Sequence, residues 1–193
     1  MEKYYTIVSL GCPKNRVDSE KIMFLMSEAG YQFVEGADGA HVIIINTCAF
    51  IEPAVEESIN TILDYSGDNP DAIMVVAGCL PLRYKSDASE SLPEVDIFVE
   101  PGDIHNLPGI LDGKSSGLCI KSGELSEGDE RAKIQGRLLT TPGYAYLRVS
   151  DGCDRKCAYC SIPSIRGRMR SETIDSLEKE ARDLASYGAT ELI

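Results

Sequence analysis

The sequence has no run approaching the roughly 18 consecutive apolar residues that a membrane-crossing helix needs. Its opening residues, from Met1 to Leu10, are too short and too polar at the start to be a secretory signal. Cations are scarce, with 19 Lys and Arg against 31 Asp and Glu and a net charge of -12. So acidic a body argues against wrapping nucleic acid, because phosphate contacts need clustered Lys and Arg. Histidine occurs twice, as His41 and His105. Neither lies near a cysteine group, and both read as surface or strand-flanking residues. There is no internal repeat and no low-complexity tract. What is present is 193 residues, 43% hydrophobic and 26% charged, an ordinary globular composition for one domain or one and a half. Seven cysteines are an odd number without the spacing of a small secreted scaffold. They fit a reducing, cytoplasmic compartment with thiols kept for metal.

The densest group is Gly152-Cys153-Asp154-Arg155-Lys156-Cys157-Ala158-Tyr159-Cys160. Thiolates are soft ligands, and three held this close suit one small metal centre. A structural zinc site wants four ligands, commonly as two separated pairs. No fourth cysteine or histidine occurs in the 33 residues that follow Cys160. The nearest reading is an iron-sulfur cube held by three thiolates, with its fourth iron open. A zinc or ferredoxin-type site that borrows a ligand from elsewhere is the alternative. Residues 148–170 carry Arg148, Arg155, Lys156, Arg166, Arg168 and Arg170 against Asp151 and Asp154, a local excess of +4. That patch is either a solvated loop face or one turned toward an anionic cofactor or substrate, with Arg166 and Arg168 as candidate contacts.

Continuous apolar, β-branched segments at 3–10, 42–45, 72–77 and 95–99 predict buried strands. Between them lie helical patterns at 17–29 (Val17, Ile22, Leu25 and Met26 on one face), after Pro53, at 82–91 and at 103–111. Residues 31–34 form a short strand. The alternation predicts an α/β fold with a parallel sheet covered on both faces. Right-handed crossovers bring all the strand C-termini to one edge. Cys12, Cys48 and Cys79 each follow a strand end by one to three residues, so they converge where such sheets bind ligands. A second metal cluster is the expectation, set against three small buried hydrophobes in tight turns. From 112 to 141 the pattern dissolves into an acidic connection, with 118–120 a possible edge strand and Cys119 a bland small hydrophobe. Residues 144–149 predict a new strand, 171–187 a helix capped by Ser171 with Leu177 and Leu184 inward, and 190–193 another strand. One βα unit cannot close a barrel, so the chain reads as a piece cut inside its second domain.

The triplet spacing, with Tyr159 just before the last cysteine, resembles the radical S-adenosylmethionine (SAM) enzymes. Together with Ser9-Leu10-Gly11-Cys12-Pro13-Lys14-Asn15, Val17-Asp18-Ser19-Glu20, Asn46-Thr47-Cys48, Gly78-Cys79-Leu80 and Ile162-Pro163-Ser164-Ile165-Arg166-Gly167, it resembles the methylthiotransferases of that class over essentially the whole chain. The wording is similar to the RimO-type branch rather than the tRNA-modifying MiaB-type branch. The resemblance implies residues 1–112 as an N-terminal methylthiotransferase domain, 113–141 as linker, and 142–193 as the start of a TIM-like radical SAM barrel. It implies an auxiliary four-iron four-sulfur cluster on Cys12, Cys48 and Cys79. It likewise implies a SAM cluster on Cys153, Cys157 and Cys160, with Tyr159 near the adenine.

The activity so implied is methylthiolation of the β-carbon of an aspartate in the twelfth small-subunit ribosomal protein. SAM is both radical source and methyl donor, and a flavodoxin or ferredoxin supplies electrons. The family's second SAM-binding elements and substrate-recognition domain are not among these residues, so the chain alone is expected not to turn over. A tRNA adenosine methylthiotransferase is the runner-up. A passive two-cluster electron carrier and a zinc-stabilised binding protein are the readings from other classes.

Overall fold

A computed structural model describes residues 2–113 and 136–193. Strands β1 (Lys3–Ser9), β2 (Tyr31–Phe33), β3 (Val42–Thr47), β4 (Ile73–Gly78) and β5 (Ile97–Val99) form one parallel sheet in the order β2-β1-β3-β4-β5. Helices α1 (Pro13–Glu28), α2 (Glu52–Asp68), α3 (Cys79–Tyr84), α4 (Ser86–Ser91) and α5 (Leu107–Gly113) connect or follow the strands. The expected α/β architecture is therefore present, in a doubly wound order that reverses direction beside β1.

Successive side chains of a strand point to opposite faces, and both faces here are apolar. Tyr5, Val42, Ile44, Val75 and Val99 pack with Ile22 and Met26 of α1 and with Leu107 and Leu111 of α5. Ile43, Ile45, Met74, Val76 and Phe98 pack on the other side with Val55 and Ile62 of α2 and Leu80 of α3. Each fully buried branched side chain contributes about 1.5–3 kcal/mol relative to exposure, which fixes the register strongly.

The register places the site. Ser9 pairs with Asn46, Asn46 with Ala77, and Ala77 with Val99, so four strands end in one row. The chain leaves that row toward Cys12, Cys48 and Cys79 from three adjacent strands. Gly11 and Gly78 make the turns at φ +90° and +93°.

Several boundaries differ from expectation. The expected helix over 82–91 is two short helices, broken at Lys85, which has φ 47°. The α1 pattern begins earlier, at Pro13, and buries a polar flank the apolar periodicity did not mark. Of the strand expected at 144–149, only Tyr144–Ala145 is regular, and a second short strand begins beyond it at Ser150. Strand β6 (Tyr144–Ala145) pairs in parallel with β9 (Glu191–Leu192). Strand β7 (Ser150–Asp151) pairs antiparallel with β8 (Arg170–Ser171). A single-turn α6 (Ile162–Ile165) and α7 (Ile174–Ser186) complete the described chain. The cap of α7 is Thr173, whose side chain accepts from the Ser176 amide, and not Ser171, which is spent in β8. Leu184 is buried as expected, with Ala145 and Ala189, and Leu177 is half-buried. Cys119 and the strand expected at 118–120 lie outside the described residues.

Candidate metal centres at the sheet edge and in the cysteine loop

The three sheet-edge cysteines meet around one buried amide, that of Asn15, which is 0% exposed. Its Nδ2 donates to the carbonyls of Leu10 (2.9 Å) and Thr47 (2.6 Å), tying the loop that carries Cys12 to the loop that carries Cys48. Its Oδ1 lies 3.8 Å from Cys79 Sγ and 4.0 Å from Cys12 Sγ. Cys48 lies against Gly11, the residue before Cys12. A Cβ on Gly11 would stand 2.8 Å from Cys48 Sγ, so only glycine lets these loops approach. Cys12 is the N-terminal cap residue of α1, in an extended conformation. Burial pushes the Cys79 thiol up. The Arg166 guanidinium opposes that, while Cys48 and Cys12 are close enough to add to it.

The second group sits in the loop between β7 and α6. Cys153 and Cys160 are half-buried and Cys157 is exposed. The Cys160 amide donates to the Cys157 carbonyl (3.1 Å), and the Arg155 amide approaches Cys153 Sγ at 3.4 Å. Gly152, at φ +75°, lies so close to the Arg168 carbonyl that a Cβ would stand 2.2 Å from it. Tyr159, singled out from the sequence, is 91% exposed.

The loop is docked against the sheet. Ser161 Oγ donates to the Phe50 carbonyl (3.3 Å), and Ile165 is buried in the same core as Cys79 and Leu80. Arg166 reaches further in. Its Nη1 pairs with Asp18 (3.0 Å) and Asp151 (3.5 Å), and its Nη2 donates to Asn15 Oδ1 (2.6 Å). Arg148 pairs with the other oxygen of Asp18 at 2.7 Å, and Lys14 pairs with Asp151 at 3.0 Å. Arg137 pairs with Glu20 (2.5 Å) and Glu180 (2.9 Å), and Thr140 donates to Glu20 from its amide and hydroxyl. Residues 137–140, at the end of the expected linker, are thus fastened to α1.

The basic patch of residues 148–170 is therefore divided, with Arg155, Lys156 and Arg168 exposed and the other cations buried or half-buried. Arg148 and Arg166 are buried on Asp18, while Arg168 is exposed and pairs weakly with Asp154 at 3.5 Å. Sequence reasoning missed Asn15, Asp18 and Glu20 as organising residues. The available signal was the pair Asn15 and Asp18, one turn apart on the same flank of α1; Glu20, two residues on, projects from a different side and meets a different cation, Arg137. The expectation for the histidines agrees with their positions: His41 stacks on Tyr4 at 5.7 Å, and His105 lies 3.2 Å from the Gly102 carbonyl.

Among the described residues, no three His, Cys, Asp or Glu side chains converge as tightly as a single metal ion requires. A zinc ion draws all its ligands to about 2.0–2.3 Å of one centre. A cluster instead takes each thiolate on a different iron and so accepts them spread about its volume. Both groups consist of free thiols, and Gly11 lets the loops bearing Cys12 and Cys48 pack closely. The donor chemistry fits a cluster at either place. A cleft of about 570 Å³ opens beside Cys12, walled by Ser9, Arg16, Ser19, Thr140 and Tyr146.

A profile of the family described as "Uncharacterized protein family UPF0004" matches residues 4–100. The ribosomal protein uS12 methylthiotransferase RimO of Heliobacterium modesticaldum is 44% identical over 195 residues, an alignment covering 97% of this chain and 41% of that protein. The protein of the same name from Desulforamulus reducens is 40% identical over 195 residues, covering 97% and 43%. That from Clostridium botulinum (strain Langeland) is 43% identical over 202 residues, covering 100% and 44%. The chain thus spans roughly two fifths of the length of the curated relatives it matches.

Proposed function

Because the chain belongs to the uncharacterized protein family UPF0004, we propose that it is the cluster-carrying part of a radical SAM methylthiotransferase of RimO type. Its substrate is an aspartate β-carbon of ribosomal protein uS12, in the cytoplasm, where thiols stay reduced. Residues 1–112 form the auxiliary domain, 113–141 the connection, and 142–193 the opening of the radical SAM domain, whose first parallel βαβ unit is β6, α7 and β9. Among the described residues, no helix is long and apolar enough to cross a membrane. The observation that carries the reading is the meeting of Cys12, Cys48 and Cys79 around Asn15, with the Cys153, Cys157 and Cys160 loop docked beside them.

When bound, two iron-sulfur clusters and SAM supply what side chains cannot: a radical for an unactivated C–H bond, and a sulfur and methyl group to follow it. The chain's own residues hold and orient. Cys153, Cys157 and Cys160 hold one cluster, and Tyr159 offers an exposed ring for the adenine. Cys12, Cys48 and Cys79 hold the other, with burial around Cys79 limiting water and oxygen. Three thiolates each, rather than four, would leave one iron of either cluster without a cysteine. The cleft beside Cys12 admits a substrate side chain, and a flavodoxin or ferredoxin supplies electrons.

Anaerobic reconstitution with iron and sulfide tests this. About eight irons per chain are expected, falling to about four when either cysteine group is replaced by alanine. Zinc binding without iron would overturn the reading. Mass spectrometry of ribosomal proteins and tRNA from cells lacking the full-length gene identifies the substrate. Loss of the methylthio mark from uS12 supports the proposal, and loss from tRNA alone refutes it. The 193-residue chain is expected to load iron without forming methylthiolated product, and product formation would refute that.

A further inference from the structure

We infer that Asn15 and Arg166 are the positioning residues of the sheet-edge centre, the amide fixing its shape and the guanidinium holding positive charge against it from the triplet's side. The inference rests on the reading that Cys12, Cys48 and Cys79 bind a cluster. Asn15 meets all three cysteine loops at once: it donates to carbonyls just before Cys12 and Cys48, and its oxygen faces Cys79 and Cys12. That oxygen would be repelled by metal-bound thiolates, which have no proton to donate. Arg166 removes the conflict by donating to it at 2.6 Å.

Arg166 is itself fixed by Asp18 and Asp151, so its charge is held in place. The other charges facing it are Arg148, on the far oxygen of Asp18, and Lys14, on Asp151. A fixed cation beside a cluster stabilises the state that has gained an electron and so raises the reduction potential. Arg166 follows Cys160 by six residues on the same docked loop. The potential of the sheet-edge centre therefore depends on the triplet's loop being seated.

The test uses the 193-residue chain with Cys153, Cys157 and Cys160 replaced by alanine, reconstituted anaerobically so that one cluster reports. Redox titration followed by electron paramagnetic resonance reads its midpoint and spectrum. R166Q is expected to lower the midpoint, R166K to lower it less, and R168Q, which alters an exposed neighbouring charge, to leave it unmoved. N15S is expected to lose at least half of the iron while keeping its far-UV circular dichroism. Should R166Q fail to fold, R166K and N15S carry the test. Full iron with a wild-type midpoint and spectrum in the folded Arg166 and Asn15 variants would overturn the inference alone. No iron in the parent chain would overturn the ligand reading beneath it as well.

Discussion

Asp18 offers the sharpest test of how the two parts of the chain are joined. Its side chain is 2% exposed, and its two oxygens are divided between two buried guanidinium groups, Arg148 at 2.7 Å and Arg166 at 3.0 Å. D18N keeps the shape but turns one acceptor into an amide donor facing a cation. Removing one partner of a buried pair costs about 3–5 kcal/mol, because a charge is left buried without compensation. The lower end applies here, since Arg166 keeps Asp151 and Asn15, while Arg148 loses its charged acceptor. About 3 kcal/mol in a chain of this size lowers the melting temperature by roughly 6–12 °C. D154N is the control. Asp154 and Arg168 lie 3.5 Å apart with side chains 56% and 92% exposed. Such a pair contributes about 0–1 kcal/mol. The assay is thermal and urea unfolding of metal-free, reduced protein by circular dichroism. A D18N melting point within about 2 °C of the parent, or no lower than that of D154N, would refute the argument.

Two further predictions concern the sheet. Gly78 and Gly30 have similar φ values, +93° and +81°, but a Cβ on Gly78 would stand 2.4 Å from the Thr47 carbonyl, whereas one on Gly30 meets nothing within 4 Å. G30A should cost only the conformational penalty of about 1–2 kcal/mol. G78A should cost clearly more and reduce iron loading, because it drives apart the loops carrying Cys48 and Cys79; equal urea midpoints would show that the close approach does not matter. Tyr5 is 1% exposed, and burial pushes its phenol up to about 12. The unfolded chain releases that proton near pH 10, so the stability present below pH 10 is lost as pH climbs toward 12, by about 3 kcal/mol. Urea midpoints measured from pH 9 to 12 should fall less steeply in Y5F, and an unchanged slope would count against burial as the cause.

The sheet was legible because its strands are buried on both faces and read as unbroken apolar runs, as at Val42 to Ile45. The meeting of Cys12, Cys48 and Cys79 followed from topology, without any knowledge of strand order. What the sequence hid was the polar flank of α1. Asp18 and Glu20 look solvent-facing in any hydrophobic pattern, and their burial makes sense only beside Arg148, Arg166 and Arg137, more than a hundred residues away. The strand expected at 144–149 failed for a similar reason. The Leu147 amide still bonds to the Ile193 carbonyl beside β9; Arg148 then turns inward to Asp18, and the pairing passes to the β8 side, where the Val149 carbonyl accepts from the Glu172 amide. Local alternation does not record that diversion.

The parallel order has a consequence for biogenesis. β1, β3 and β4 lie side by side, yet Cys79 is made 67 residues after Cys12. At translation speeds of about 5–20 residues per second, the earliest thiol waits roughly 3–13 s for the last. On the proposal that these three thiols hold a cluster, no nest for iron exists until the third crossover is laid down, so maturation would await a folded sheet and the newborn chain would pass through a window in which its thiols are vulnerable to oxidation.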